Sequence, residues 1–184
     1  MFQTATSQIK SLDGKKGIST RLLFDTGSQR SYITCELKEK FALKAIRKDN
    51  VIIKTFGDIE TSQVKRLDVV KIKVKHEKFE RFTFIEALCV PEICSPIANQ
   101  RLAKAQRIEE FVGLGFADFC NDFSLSIGVL VGIDFYFQFF TEKRILSKER
   151  LVACESALAW ILCGSFGSSR VNECLYSHQM KVEI

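Results

Sequence analysis

Proline and histidine are scarce. The 184 residues hold two of each, with one tryptophan and ten glycines. That composition excludes collagen-like, linker-like and low-complexity chains. Long apolar runs are also missing. The longest, near residues 128–140, is broken by Asp134 and Gln138 and falls short of the ~20 apolar residues a spanning helix needs. No membrane partner is therefore expected. No apolar stretch follows Met1, so no signal peptide is expected either, and the location reads as intracellular and cytoplasmic. No Cys-x-x-Cys pair occurs, and His76 and His178 stand far apart. A structural zinc site wants closely spaced ligand pairs, so no metal or other cofactor is expected. The seven cysteines read as reduced, mostly buried thiols. Two histidines also leave few candidates for Ser–His or Cys–His catalysis.

What is present is ordinary for one globular domain: 46% hydrophobic and 27% charged residues. The net charge of +5 is uneven, with 18 basic and 12 acidic residues before position 93 and 9 and 10 after it. A basic half can signal nucleic acid. Here, however, Lys71, Lys73 and Lys75 alternate with Val70, Ile72 and Val74. That is a half-buried strand with a solvated outer face, and no direct nucleic-acid partner is expected.

Along the chain, strands are expected over residues 2–10 and 18–24, joined by a turn at Leu12–Lys15. Thr34 reads as the N-cap of a short helix near 35–43, with Leu37 and Phe41 on its inner face. Further strands are expected near 50–56, 64–75 and 79–90. Asn99 is a candidate cap for a helix carrying Leu102, Ala105, Ile108 and Val112, stopped by Gly113 and Gly115. Residues 124–140 read as strand-like, and 151–164 as one or two terminal strands. The fold class is all-β with one or two short helices. One domain is expected over residues 1–166, followed by a polar, disordered tail over 167–184.

The densest motif is Leu22-Leu23-Phe24-Asp25-Thr26-Gly27-Ser28. An apolar strand runs straight into a small polar turn. Strand alternation puts Leu23 and Asp25 on one face, so a carboxylate stands beside an apolar wall. Gly27 permits a sharp turn and a close approach by another chain. A lone carboxylate is a poor hydrolytic device and, by itself, a common turn former. Two face to face share a proton, so one serves as base on a water and the other as acid. This chain has one such motif, hence half a site. No phosphate-binding loop of the G-x-x-x-x-G-K-[ST] type occurs, and position 27 is not the second Asp that strand-end phosphatases require.

The turn resembles the active site of retropepsin-like aspartic peptidases. Those carry a flap about 30 residues later and a late hydrophobic-hydrophobic-Gly segment. Ile53-Lys54-Thr55-Phe56-Gly57 and Leu130-Val131-Gly132-Ile133-Asp134 match both in order. Phe2-Gln3-Thr4-Ala5, Val90-Pro91-Glu92-Ile93-Cys94 and Leu158-Ala159-Trp160-Ile161-Leu162-Cys163-Gly164 extend the resemblance to one branch, the aspartic peptidase of Pao/BEL-type LTR retrotransposon polyproteins. It covers roughly residues 2–166.

The resemblance implies a retropepsin-like closed barrel, half of an acid-protease site, active as a homodimer on peptide or polyprotein substrate in the cytoplasm or in virus-like particles. Asp25 would be the catalytic carboxylate. Thr26 would bond across the twofold axis, Gly27 would offer backbone to substrate, and Ser28 would donate to the carboxylate. Leu23 and Leu130 would line the substrate groove while Val131 faces the core. Phe56 and Gly57 would sit near the flap tip. Gly132 and Asp134 would be structural, Asp134 tying a turn or helix start. Two positions depart from the family pattern. Gly128 stands where the pattern has Asp, and Ala159 where it has Gly. A glycine there would serve a positive φ or a close approach, so Ala159 points to a less stable copy. The alternative is an inactive dimerisation or interaction module of the same fold, from a degenerate or host-captured element.

Overall fold

The structure is a computed structural model that describes residues 2–12, 17–54, 64–77, 80–97, 102–118, 126–164 and 181–183. The turn at residues 13–15, the flap segment 55–63 with Phe56 and Gly57, Asn99, the domain's last residues 165–166, and residues 167–180 and 184 of the tail lie outside them.

Two sheets make the fold. The larger uses β1 (Gln3–Lys10), β2 (Gly17–Phe24), β3 (Tyr32–Thr34), β4 (Arg47–Lys54), β5 (Val64–Lys75), β6 (Phe82–Val90), β7 (Ile127–Val131) and β11 (Lys181–Glu183), in the order β1-β2-β7-β3-β6-β5-β4-β11. A further β1–β5 pairing, Ile9 opposite Val74 and Lys10 opposite Lys73, closes six of these strands into a barrel. The smaller sheet is β10-β9-β8, from β8 (Phe140–Leu146), β9 (Leu151–Ser156) and β10 (Ala159–Gly164). The helices are short: α1 (Cys35–Lys40), α2 (Leu102–Ala105), a 3-10 turn at Glu109–Phe111, and α3 (Ile133–Tyr136). Among the described residues no helix is long and apolar enough to cross a membrane.

Alternation in the sequence explains the main core. Ala5 and Ile9, Leu22 and Phe24, Val70, Ile72 and Val74, Ile85 and Ala87, and Val129 and Val131 point to one side of their strands and pack together. Thr34 caps α1 as expected, its hydroxyl accepting the Leu37 N–H at 3.3 Å, which buries Leu37 and Phe41. The strand expected over 124–140 is corrected: β7 stops at Val131, α3 follows, and β8 belongs to the other sheet. The helix expected after Asn99 shrinks to one turn, and Val112 is exposed, because a 3-10 turn and Gly113 at φ +83° redirect the chain.

Gly128 sits where a Cβ would collide with the side chains of Thr20 and Leu37. An Asp there would displace both, so the glycine fits its packing. Ala159 is the opposite case. Its φ is +85° and it is buried between the barrel and the smaller sheet. A left-handed conformation costs a non-glycine residue roughly 1–2 kcal/mol. Ala159→Gly relieves that strain but gives up a buried methyl worth about 0.8 kcal/mol. The expected result is a net gain below about 1 kcal/mol, read as a small rise in Tm; a fall in Tm would show that the methyl outweighs the strain.

Candidate active site

Asp25 leaves the end of β2 at the tip of a tight turn. Its backbone N–H donates to the Val131 carbonyl at 3.1 Å, and the Ser28 N–H returns to the Asp25 carbonyl at 3.2 Å. The Gly27 N–H donates to Asp25 Oδ1 at 2.9 Å, which fixes the carboxylate's orientation. Asp25 is half-buried, whereas Thr26 and Gly27 are exposed.

The two limbs of this turn do not pair with each other. β7 lies between them, parallel to β2 (Leu23 opposite Leu130, Phe24 opposite Val131) and antiparallel to β3 (Tyr32 opposite Leu130). Gly132 then passes beneath the turn. A Cβ there would sit 2.5 Å from the Arg30 carbonyl oxygen and 2.8 Å from that of Ser28, so only glycine allows the approach. The Ile133 N–H donates to the Ser28 carbonyl at 2.8 Å.

Ser31 and Asp134 lock this crossing. The Gly132 N–H donates to Ser31 Oγ at 3.0 Å, and that hydroxyl donates to Asp134 Oδ1 at 2.7 Å. The Ser31 N–H donates to Asp134 Oδ2 at 3.1 Å. Burial raises the Asp134 pKa, opposed by the two Ser31 bonds and by Arg30, whose Nε lies 3.9 Å away. Arg30 also pairs with Asp49 at 3.1 Å, tying the turn to β4.

Ser28 differs from expectation. Its hydroxyl donates to the Arg30 carbonyl at 2.8 Å and not to Asp25. A hydroxyl has one proton, and the turn's own backbone takes it.

Leu23 and Leu130 come together, and Val131 packs in the main core. The register sets Leu23, Leu130, Tyr32, Leu88 and Val69 in one row across five strands, on the face of β2 that also carries Asp25. Ile93 packs against this row, and Leu23 and Leu130 are 7% and 4% exposed. Tyr32 is fully buried in this row, and burial pushes the pKa of its hydroxyl up to about 12.

Sequence reasoning passed over Arg30, Ser31 and Tyr32. They are unremarkable residue types, and their roles depend on β7 running between the limbs. Asp118 is a structural carboxylate, 5% exposed, held by Arg21 Nη2 at 2.6 Å and by the Thr4 hydroxyl at 2.5 Å. Among the described residues no cluster of three or more His, Cys, Asp or Glu is placed to hold a metal.

A family model described as "Putative peptidase (DUF1758)" matches residues 11–148, three quarters of the chain. The chain belongs to this family. No curated protein matches it. The DUF1758 span takes in the Asp25 turn, all of β7, the Ser31–Asp134 lock and β8, whereas β9 and β10 lie beyond it. The function is therefore peptidase-like, and within the DUF1758 span the Asp25 turn is the candidate site.

Proposed function

We propose that this DUF1758 chain is an aspartic endopeptidase of a Pao/BEL-type retrotransposon polyprotein, acting as a homodimer. The observation that carries the reading is the Asp25 turn. It is held rigidly from below by Val131, Gly132 and Ile133, while Thr26 and Gly27 at its tip are left exposed. A twofold axis through that tip brings a second Asp25 against the first, and a self-complementary contact of this kind is the commonest mode of association.

Two adjacent carboxylates bind one proton between them. The charged one takes a proton from a water, which attacks the scissile carbonyl. The protonated one donates to the carbonyl oxygen; the proton taken from the water then passes to the amine as the C–N bond breaks, and a hydroxyl of the tetrahedral intermediate returns its proton to the other carboxylate. Thr26 ties the two turns across the axis, and Gly27 offers its backbone to the substrate. Leu23 and Leu130 form the apolar wall beside the carboxylates. Phe56 and Gly57 cover the substrate and exclude water. Gly132 and Asp134 hold the turn in shape.

Because Ser28 donates to the Arg30 carbonyl, it does not tune the carboxylate pair. Ser28→Ala is expected to lose about 1 kcal/mol of stability and to leave the pH optimum of cleavage unmoved. An optimum shifted upward would mean that the hydroxyl turns to Asp25 in the dimer.

Incubation of the folded chain with a mixed peptide library tests the assignment. Cleavage suppressed by a pepstatin-type inhibitor supports it. Cleavage indifferent to that inhibitor, or none by a folded dimer, contradicts it.

A further inference from the structure

Five cysteines are described, and only Cys89 is buried, which corrects the expectation of mostly buried thiols. Four of them form two contacting pairs. Cys35 and Cys89 approach to 3.0 Å, and Cys163 Sγ lies 3.7 Å from Cys154 Sγ. Within the closer pair the buried member is Cys89. Burial pushes the Cys89 thiol up to about 12, and a protonated thiol is a poor nucleophile.

The second pair sits differently. Cys154 is on β9 and Cys163 on β10, the edge strand of the smaller sheet, and both are half-buried. Arg144 on β8 is directly opposite Cys154 in the register. The Cys163 S–H donates to the Cys154 sulfur at 3.7 Å, with the Ile161 carbonyl as a longer acceptor at 3.9 Å. The donated hydrogen bond, with Arg144 in support, lowers the Cys154 pKa to about 7, and the same bond raises that of Cys163.

We propose that Cys154 and Cys163 form a modification site for hydroperoxides, Cys154 being oxidised first and Cys163 resolving the product into a reversible disulfide. The Cys154 thiolate attacks one peroxide oxygen and the O–O bond breaks. The leaving oxygen takes a proton as water, and Cys154 becomes a sulfenic acid. The Cys163 sulfur then attacks the sulfenic sulfur, and the S–O bond breaks. The hydroxyl leaves as a second water with the Cys163 proton. Two thiols and one hydrogen peroxide give one disulfide and two waters. The sulfurs must close from 3.7 Å to about 2.05 Å. The pair is also diagonal, since Cys154 is opposite Ile161 and Cys163 opposite Val152. Closure therefore drags the edge strand β10 across β9, and β10 is bonded through Trp160 to Gly115 and Ala117. A bond made under such a constraint is readily reduced by a glutathione-class thiol.

Limiting hydrogen peroxide is added to the reduced full chain at pH 7, followed by alkylation, cleavage after Glu155 and mass spectrometry. The expected product lacks two hydrogens and links the Cys154 and Cys163 peptides. The Cys163→Ser chain is expected to accumulate a Cys154 sulfenic acid that dimedone traps. Arg144→Gln should slow the oxidation several-fold, and the alkylation rate of Cys154 in the unmodified chain should rise with a midpoint near 7. Oxidation of any other cysteine before Cys154, no dimedone adduct in Cys163→Ser, or a midpoint at the ordinary thiol value near 9 would overturn the proposal.

Discussion

Asp25→Asn is expected to lower kcat/KM for peptide cleavage by roughly 10³-fold or more while leaving the fold intact. Asn keeps the shape of the side chain and an amide oxygen that can still accept the Gly27 N–H, which donates to Asp25 Oδ1 at 2.9 Å. It cannot lose or gain the proton that the water and the leaving amine require. The backbone bonds that shape the turn, from Asp25 N–H to Val131 and from Ser28 N–H to Asp25, do not involve the altered atoms. Circular dichroism and Tm should therefore match wild type while cleavage disappears. A folded Asp25→Asn chain that still cleaves would remove Asp25 from the mechanism.

Asp118→Ala should have the largest effect on stability. Arg21 and Asp118 are 3% and 5% exposed, and the guanidinium meets the carboxylate through Nη2 at 2.6 Å and Nε at 3.2 Å. The same arginine donates to the Ile97 carbonyl, and Thr4 donates to Asp118. The cluster pins the loop after β6 and the segment before β7 onto the β1–β2 hairpin. Removing one partner of a buried pair leaves an uncompensated charge, at a cost of about 3–5 kcal/mol. That is a large part of a typical folding free energy of about 5–15 kcal/mol. The sharper test is the double replacement Arg21→Met with Asp118→Leu. It removes both charges, and urea unfolding should show it recovering much of the loss. A single-mutant cost below about 1 kcal/mol would mean that water reaches the pair.

The strands were legible wherever one face is buried and the other wet. Val64–Lys75 coincides with β5 because valine and isoleucine alternate with lysine along its second half. Residue 159 was legible through the family pattern, whose glycine suits a positive φ or a close approach, and Ala159 has φ +85°. β8 was not legible, since its residues are mostly exposed and carry no alternation. The Asp25 turn could be read from its tripeptide, but not what holds it. Ser31 and Asp134 are 103 residues apart, and only the passage of β7 between β2 and β3 makes them partners. Ser28 failed for the same reason at short range. Two acceptors competed for one hydroxyl proton, and the Arg30 carbonyl took it.

The central claim is that two chains each contribute one Asp25 to a single site. Mixing wild-type and Asp25→Asn chains at fixed total concentration, after exchange of subunits, measures it most directly. If only a dimer with two carboxylates cleaves, activity falls as the square of the wild-type fraction. Activity that falls in simple proportion to that fraction would mean that each chain works alone, and would contradict the account.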